Sequence, residues 1–76
     1  MAVWARRPDD PRVGDFGKNL RAARRLAGLT QEQVAERSGV HATEVSRIEA
    51  GKRDPKISTL ERLAAAVEVP PGKLLE

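Results

Sequence analysis

The side chains of this sequence that could carry chemistry are suited to binding rather than to catalysis. The chain has no cysteine and a single histidine, His41, so it offers neither a thiolate nucleophile nor a pair of imidazole ligands for a metal. It has no glycine-rich phosphate loop and no pair of acids in an apolar segment. We therefore expect no enzymatic activity, no metal and no cofactor. His41 is better explained as a residue at the start of a helix.

The best candidates for binding lie on one face of a predicted helix. Arg47 follows Thr43 by four residues and Ser46 follows Thr43 by three, so these side chains project from the same side of the helix. Val45 and Ile48 point the opposite way and are expected in the core. The polar strip of Thr43, Ser46 and Arg47 is therefore free to form hydrogen bonds with a ligand.

The charge of the chain favours an anionic partner, although an ordinary solvated surface explains the overall balance equally well. Lys and Arg together number 14 against 11 Asp and Glu, which gives a net charge of +3 and a sequence pI near 10.0. The placement of the basic residues is more informative than their number. One group lies in a stretch of the first predicted helix that contains no acid, and a second directly follows the polar strip: Lys18, Arg21, Arg24 and Arg25, and then Lys52, Arg53 and Lys56.

Two short helices joined by a tight turn are needed to present the polar strip. Thr30 and Gln33 have the spacing of a capping box, which predicts a helix starting at Gln31. Gly39 suits the left-handed conformation that ends a helix. A second helix is then expected from about Ala42, with the polar strip on its outer face.

Helical periodicity extends through most of the remaining chain. Apolar residues recur at three- and four-residue spacing on both sides of the helix pair, and no strand pattern is present. Residues 1–14 show no periodicity and are expected to form a flexible tail before a single domain of residues 15–76. The sequence predicts an all-α, compact five-helix bundle with helices at about 15–27, 31–38, 42–50, 57–67 and 71–75.

This pattern resembles the helix-turn-helix domain of the lambdoid phage repressor and Cro family. The resemblance includes the Arg-x-x-x-Gly-Leu-Thr-Gln run at 24–31 and the Glu-x-Gly-Lys-Arg-x-Pro run at 49–55, and it covers residues 16–75. It implies a sequence-specific, double-stranded DNA-binding transcriptional regulator that acts as a homodimer on a palindromic operator. The sequence departs from the family at His41, where Ser or Thr is usual, and at Glu68, where Gly is usual.

The resemblance also implies which residues contact DNA. The helix at about 42–50 would enter the major groove, where an arginine can bind guanine with two hydrogen bonds. Backbone-contacting positions would place the protein on the duplex without reading its sequence. The positions that match groove-facing residues are Ala42, Thr43, Ser46 and Arg47, and those that match backbone-contacting residues are Gln31, Lys52 and Arg53.

Two opposite charges lie beside apolar faces of different helices. Arg24 follows Leu20 by four residues, and Glu49 follows Val45 by four. A buried charge without a partner is very costly, so a structural ion pair between Arg24 and Glu49 is the simplest arrangement, and the resembled family has such a pair. The alternative is two independent, solvated charges.

The C-terminal region carries more apolar surface than one short helix needs to bury. A chain of 76 residues has a small core, and dimerisation would supplement it. We therefore expect a homodimer interface formed by Val69, Leu74 and Leu75. Because Leu74 and Leu75 are adjacent, one should complete the core while the other is free to contact a partner.

Several classes of partner find no support in the sequence. The sequence has no long apolar run that would predict a membrane span, so we expect a cytoplasmic protein. No feature of the sequence indicates a small-molecule ligand. An alternative function is an antitoxin-like or other protein-interaction module. A further alternative is the DNA-binding portion of a longer regulator.

Overall fold

The computed structural model describes residues 11–75 and contains five α-helices with no strand in that range. This architecture confirms the predicted all-α, five-helix fold. Predictions for residues 1–10 lie outside the described residues. No helix within 11–75 is long and apolar enough to cross a membrane. The helices are α1 (Pro11–Leu26), α2 (Gln31–Ser38), α3 (Ala42–Glu49), α4 (Ile57–Ala66) and α5 (Pro71–Leu74).

Helix α1 is longer at its amino end than the sequence predicts. We expected a start at about Asp15, whose charge suits a first turn, but the helix begins at Pro11. Proline is favoured at the first helical position because its φ is already helical and its missing N–H has no intrahelical partner there. The assignment of residues 11–14 to a flexible tail is therefore wrong. At the other ends the differences are single residues, since α1, α3, α4 and α5 each end one residue before the predicted boundary.

The ends of α2 are fixed by the local signals that the sequence contains. The Thr30 hydroxyl accepts a hydrogen bond from the Gln33 N–H at 3.0 Å, and the Thr30 N–H donates to the Gln33 side chain at 2.8 Å. Gly39 ends the helix with φ 75°, and its N–H donates to the Ala35 carbonyl at 2.9 Å. The predicted capping box and left-handed glycine are both confirmed.

A single apolar core joins all five helices. Helix α3 packs against α1 and α2, and α4 packs against α2 and α5. Half-buried Val40 packs on this core at the turn between α2 and α3. The buried apolar residues are Phe16, Leu20, Leu29, Val34, Val45, Ile48, Leu60, Leu63, Ala64, Ala66, Val67 and Leu74.

Gly17 allows α1 to approach the carboxyl end of α3 closely. A Cβ atom at Gly17 would collide with the backbone carbonyl oxygen of Ile48 and would lie 3.0 Å from that of Glu49. Any larger residue would therefore push the two helices apart, because interiors are too tightly packed to absorb the overlap. This contact helps to set the position of α3 on the domain.

Two features of the C-terminal region bear on the sequence-based expectations. Glu68 adopts φ 61°, the left-handed conformation that glycine usually occupies, at a cost of about 1–2 kcal/mol. Leu74 is 2% exposed and belongs to the core, and the Asn19 side-chain amide donates to its carbonyl at 2.8 Å. Leu74 is thus unavailable to a partner, which corrects its place in the predicted dimer interface. Leu75 is 43% exposed, and Val69 is half-buried against the core.

Candidate nucleic-acid interface

The apolar side of α3 packs into the core and leaves the polar face of the helix exposed. Val45 and Ile48 are fully buried, and burial of such side chains contributes about 1.5–3 kcal/mol each. This anchoring leaves Thr43, Ser46 and Arg47 exposed on the opposite side. The structure therefore brings the polar strip together as one accessible surface. Ala42, the fourth predicted groove-facing residue, is half-buried at the start of the helix.

The start of α3 lacks the side-chain cap that a serine or threonine would provide. His41 occupies the N-cap position but its side chain makes no capping hydrogen bond. The imidazole is exposed, so this residue contributes through its backbone, whose carbonyl accepts from the Val45 N–H at 3.0 Å. The imidazole therefore does not cap α3.

The loop after α3 carries the predicted cationic edge of the surface. Gly51 adopts φ 75°, and the Lys52 N–H then donates to the Arg47 carbonyl at 2.9 Å, which fixes the chain direction beyond the helix. Lys52 and Arg53 are both exposed. Both residues directly follow the carboxyl end of α3 in the chain.

Arg53 has a partner within the chain that the sequence did not reveal. Its Nε lies 3.1 Å from Oε2 of Glu44 on α3, with the two side chains 55% and 26% exposed. An exposed pair of this kind contributes about 0.2–1 kcal/mol. A phosphate can therefore compete for Arg53 with little loss of stability. The nine-residue spacing between the two residues gives no local signal of this pair.

The Arg24–Glu49 pair is present and well enclosed. The Arg24 Nε lies 2.7 Å from Glu49 Oε2, and a second guanidinium nitrogen donates to Oε1 at 3.0 Å. The remaining terminal nitrogen donates to the Leu29 carbonyl at 2.9 Å. The side chains are 12% and 4% exposed. The hydrogen bond to Glu49 raises the pKa of Arg24 despite the opposing effect of burial, so the guanidinium stays charged.

Gln31 belongs to the same hydrogen-bond network. Its side-chain amide donates to Glu49 Oε1 at 3.1 Å, which joins the first residue of α2 to the last residue of α3. The network thus connects α1, α2 and α3 and fixes the angle between the two helices of the motif. The sequence predicts Gln31 at the ligand surface but contains no signal of this contact with Glu49.

Comparisons with known proteins agree with the geometry of the two helices α2 and α3. A family model described as helix-turn-helix matches residues 20–74. The chain belongs to the helix-turn-helix family. The resemblance to the Cro-type domain is therefore confirmed.

Several relatives of this helix-turn-helix chain are regulators of transcription by name. It is 50% identical over 56 residues to the HTH-type transcriptional repressor RghR of Bacillus subtilis, covering 72% of this chain and 42% of RghR. It is 41% identical over 60 residues to the control protein C.SmaI of Serratia marcescens, covering 79% and 71%. The chain thus spans less than half the length of RghR and about seven-tenths of C.SmaI. These names support the prediction that the chain is not an enzyme.

A solved structure shares the whole helix-turn-helix fold. The restriction-modification controller protein C.AhdI of Aeromonas hydrophila superposes with a TM-score of 0.81 at 32% sequence identity. The match covers 86% of this chain and 98% of C.AhdI. A protein of nearly the same length therefore has the same arrangement of helices.

Proposed function

We propose that the chain is a sequence-specific, double-stranded DNA-binding transcriptional regulator that acts as a homodimer on a palindromic operator. The observation that carries this proposal is the anchoring of α3. Its buried side, Val45 and Ile48, fixes the helix so that Thr43, Ser46 and Arg47 face outward together. In a helix-turn-helix, this second helix enters the major groove.

Base recognition is assigned to the polar strip. Arg47 binds guanine through two hydrogen bonds, which is worth about 1–3 kcal/mol of discrimination against other bases. Thr43 offers a hydroxyl for a base edge and a methyl group for thymine. Ala42 provides only apolar contact, and Ser46 borders the strip with a further hydroxyl. The strip therefore reads one short run of base pairs in each half of the operator.

Positioning on the duplex is assigned to Gln31, Lys52 and Arg53. Such contacts to the DNA backbone fix orientation without reading sequence. The oxygen of the Gln31 amide is oriented by the bond of its nitrogen to Glu49. Arg53 exchanges its weak surface pair with Glu44 for a phosphate, which is the stronger, charge-assisted partner.

Dimerisation is assigned to the C-terminal region. Leu75 leaves a large apolar side chain partly exposed, and Val69 in the same C-terminal region is half-buried. A second copy of the chain would cover this surface and place two α3 helices about 34 Å apart, one turn of DNA. The similarity to a repressor and to control proteins supports a regulator of transcription. In bacteria, the source of those relatives, DNA lies in the cytoplasm, so we propose that location for this protein.

Selection of bound sequences from a random duplex pool tests this function. We expect enrichment of a site with two-fold symmetry and half-sites about one turn apart. Enrichment of a single half-site would retain DNA reading and reject the dimer. No enrichment, together with capture of an unrelated protein in stoichiometric amount, would reject the proposal in favour of a protein-interaction module.

A further inference from the structure

A surface depression of about 250 Å³ lies where α1, α2 and α3 meet. Two of its lining residues, Gln31 and Ser46, belong to the surface that we assign to DNA. The depression also includes an arginine of α1 that the proposed function does not use. The complete lining is Arg21, Arg24, Gln31, Ser46, Glu49 and Ala50.

The charge of this depression comes from Arg21. Arg24 and Glu49 neutralise each other through two hydrogen bonds, at 2.7 and 3.0 Å. Arg21 is exposed and has no ion-pair partner among the described residues. The depression therefore has one uncompensated positive charge, and it adjoins residues expected to face a polyanion.

The lining of the depression distinguishes Arg21 from the other exposed cations of α1, and its spacing from two residues that contact α3 agrees with this placement. It follows Gly17, which abuts the carboxyl end of α3, by four residues. It precedes Arg24, which binds Glu49 of α3, by three. Residues at these spacings share one side of a helix, so Arg21 lies on the flank of α1 nearest to α3. Lys18 and Arg25 are also exposed but do not line the depression.

We propose that Arg21 binds a phosphate of the DNA backbone beside the groove that α3 enters. This inference rests on the proposed function. A guanidinium suits the role because its planar set of N–H donors matches the oxygens of a phosphate. Arg21 then extends the backbone contacts from the helix pair to α1, and the contact is independent of base sequence.

The test is the salt dependence of binding to a random-sequence duplex, measured by fluorescence anisotropy between roughly 50 and 200 mM salt. The slope is that of log affinity against log salt concentration. Loss of one phosphate contact lowers its magnitude by about 0.9 and weakens binding about eight-fold at 0.1 M salt for each chain bound. Arg21→Gln should show this loss. Arg25→Gln removes the same charge from the next turn of α1, at a residue outside the lining of the depression, and as the matched control it should show a much smaller loss.

Three further results test the contact between Arg21 and a DNA phosphate. Arg21→Lys keeps the charge and should retain most of the slope. An unchanged slope for Arg21→Gln, or equal losses for Arg21→Gln and Arg25→Gln, would overturn the contact. Wild-type protein without any salt-dependent duplex binding would instead reject the proposed function, and this inference with it. Circular dichroism of each variant checks that the fold is intact, as expected for an exposed residue.

Discussion

The Arg24–Glu49 pair should be strongly coupled in stability, and a double-mutant cycle measures that coupling directly. The substitutions are Arg24→Met and Glu49→Leu, singly and together. Arg24→Met leaves the Glu49 carboxylate, 4% exposed, with one of its three side-chain hydrogen bonds, that from the Gln31 amide at 3.1 Å. Removing one partner from a buried pair costs about 3–5 kcal/mol.

The double variant should be less damaged than the sum of the single ones. Apolar side chains of similar volume can replace a buried pair at little cost, because no uncompensated charge remains. We therefore expect a coupling energy of about 2–3 kcal/mol, at the upper end for residues in contact. A chain of 76 residues has a total stability of roughly 4–11 kcal/mol, so urea unfolding should include a stabilising osmolyte.

The surface pair of Glu44 and Arg53 supplies a matched control. Its side chains are far more exposed, so a cycle with Glu44→Gln and Arg53→Gln should give about 0.2–1 kcal/mol. The raised pKa of Arg24 means that its contribution is complete below the ordinary pKa of arginine and is lost only in stronger alkali. The coupling should thus persist from neutral to mildly alkaline pH. A coupling near zero for Arg24 and Glu49 would refute the structural role of the pair.

Four other substitutions test the fold and the dimer. Glu68→Gly should stabilise the domain by about 1 kcal/mol in urea unfolding, because it relieves the left-handed strain, and an unchanged midpoint would show that no strain is present. Leu74→Ala should destabilise the fold by about 2–5 kcal/mol, because Leu74 is buried in the core. Leu75→Glu should leave the fold intact and sediment as a monomer, and a Leu75→Glu variant that stays dimeric would place the interface elsewhere. Gly17→Ala should lower the melting temperature, since its Cβ collides with the Ile48 carbonyl, and a wild-type value would contradict that contact.

The helix pair was predictable because its signals are local. The capping box of Thr30 and Gln33 sets the start of α2 within four residues, and Gly39 sets its end by its own backbone conformation. The buried side of α3 follows from the spacing of Val45 and Ile48 alone. Where such short-range signals exist, the sequence and the structure agree on the boundaries of the element.

The remaining features depend on distances between residues far apart in the chain. The bond from Gln31 to Glu49 joins residues 18 positions apart, and no periodicity encodes it. The choice of Leu74 rather than Leu75 for the core depends on how α5 docks, which the Asn19 contact helps to fix. The start of α1 at Pro11 had a local signal in the sequence, an aspartate directly before a proline, and the prediction of a start near Asp15 missed it. Arg21 was visible as a basic residue, but only the packing of α1 on α3 places it beside the polar strip.

Base reading by α3 is tested most directly by comparing the DNA sites selected by wild-type protein and by Arg47→Ala. Arg47 is exposed, so the variant should fold normally, and Arg25→Ala serves as a control outside the strip. We expect Arg47→Ala to lose about 1–3 kcal/mol on the best site and to relax preference at one base pair in each half-site. An identical selected motif, with equal loss of affinity on every sequence, would contradict base reading by Arg47.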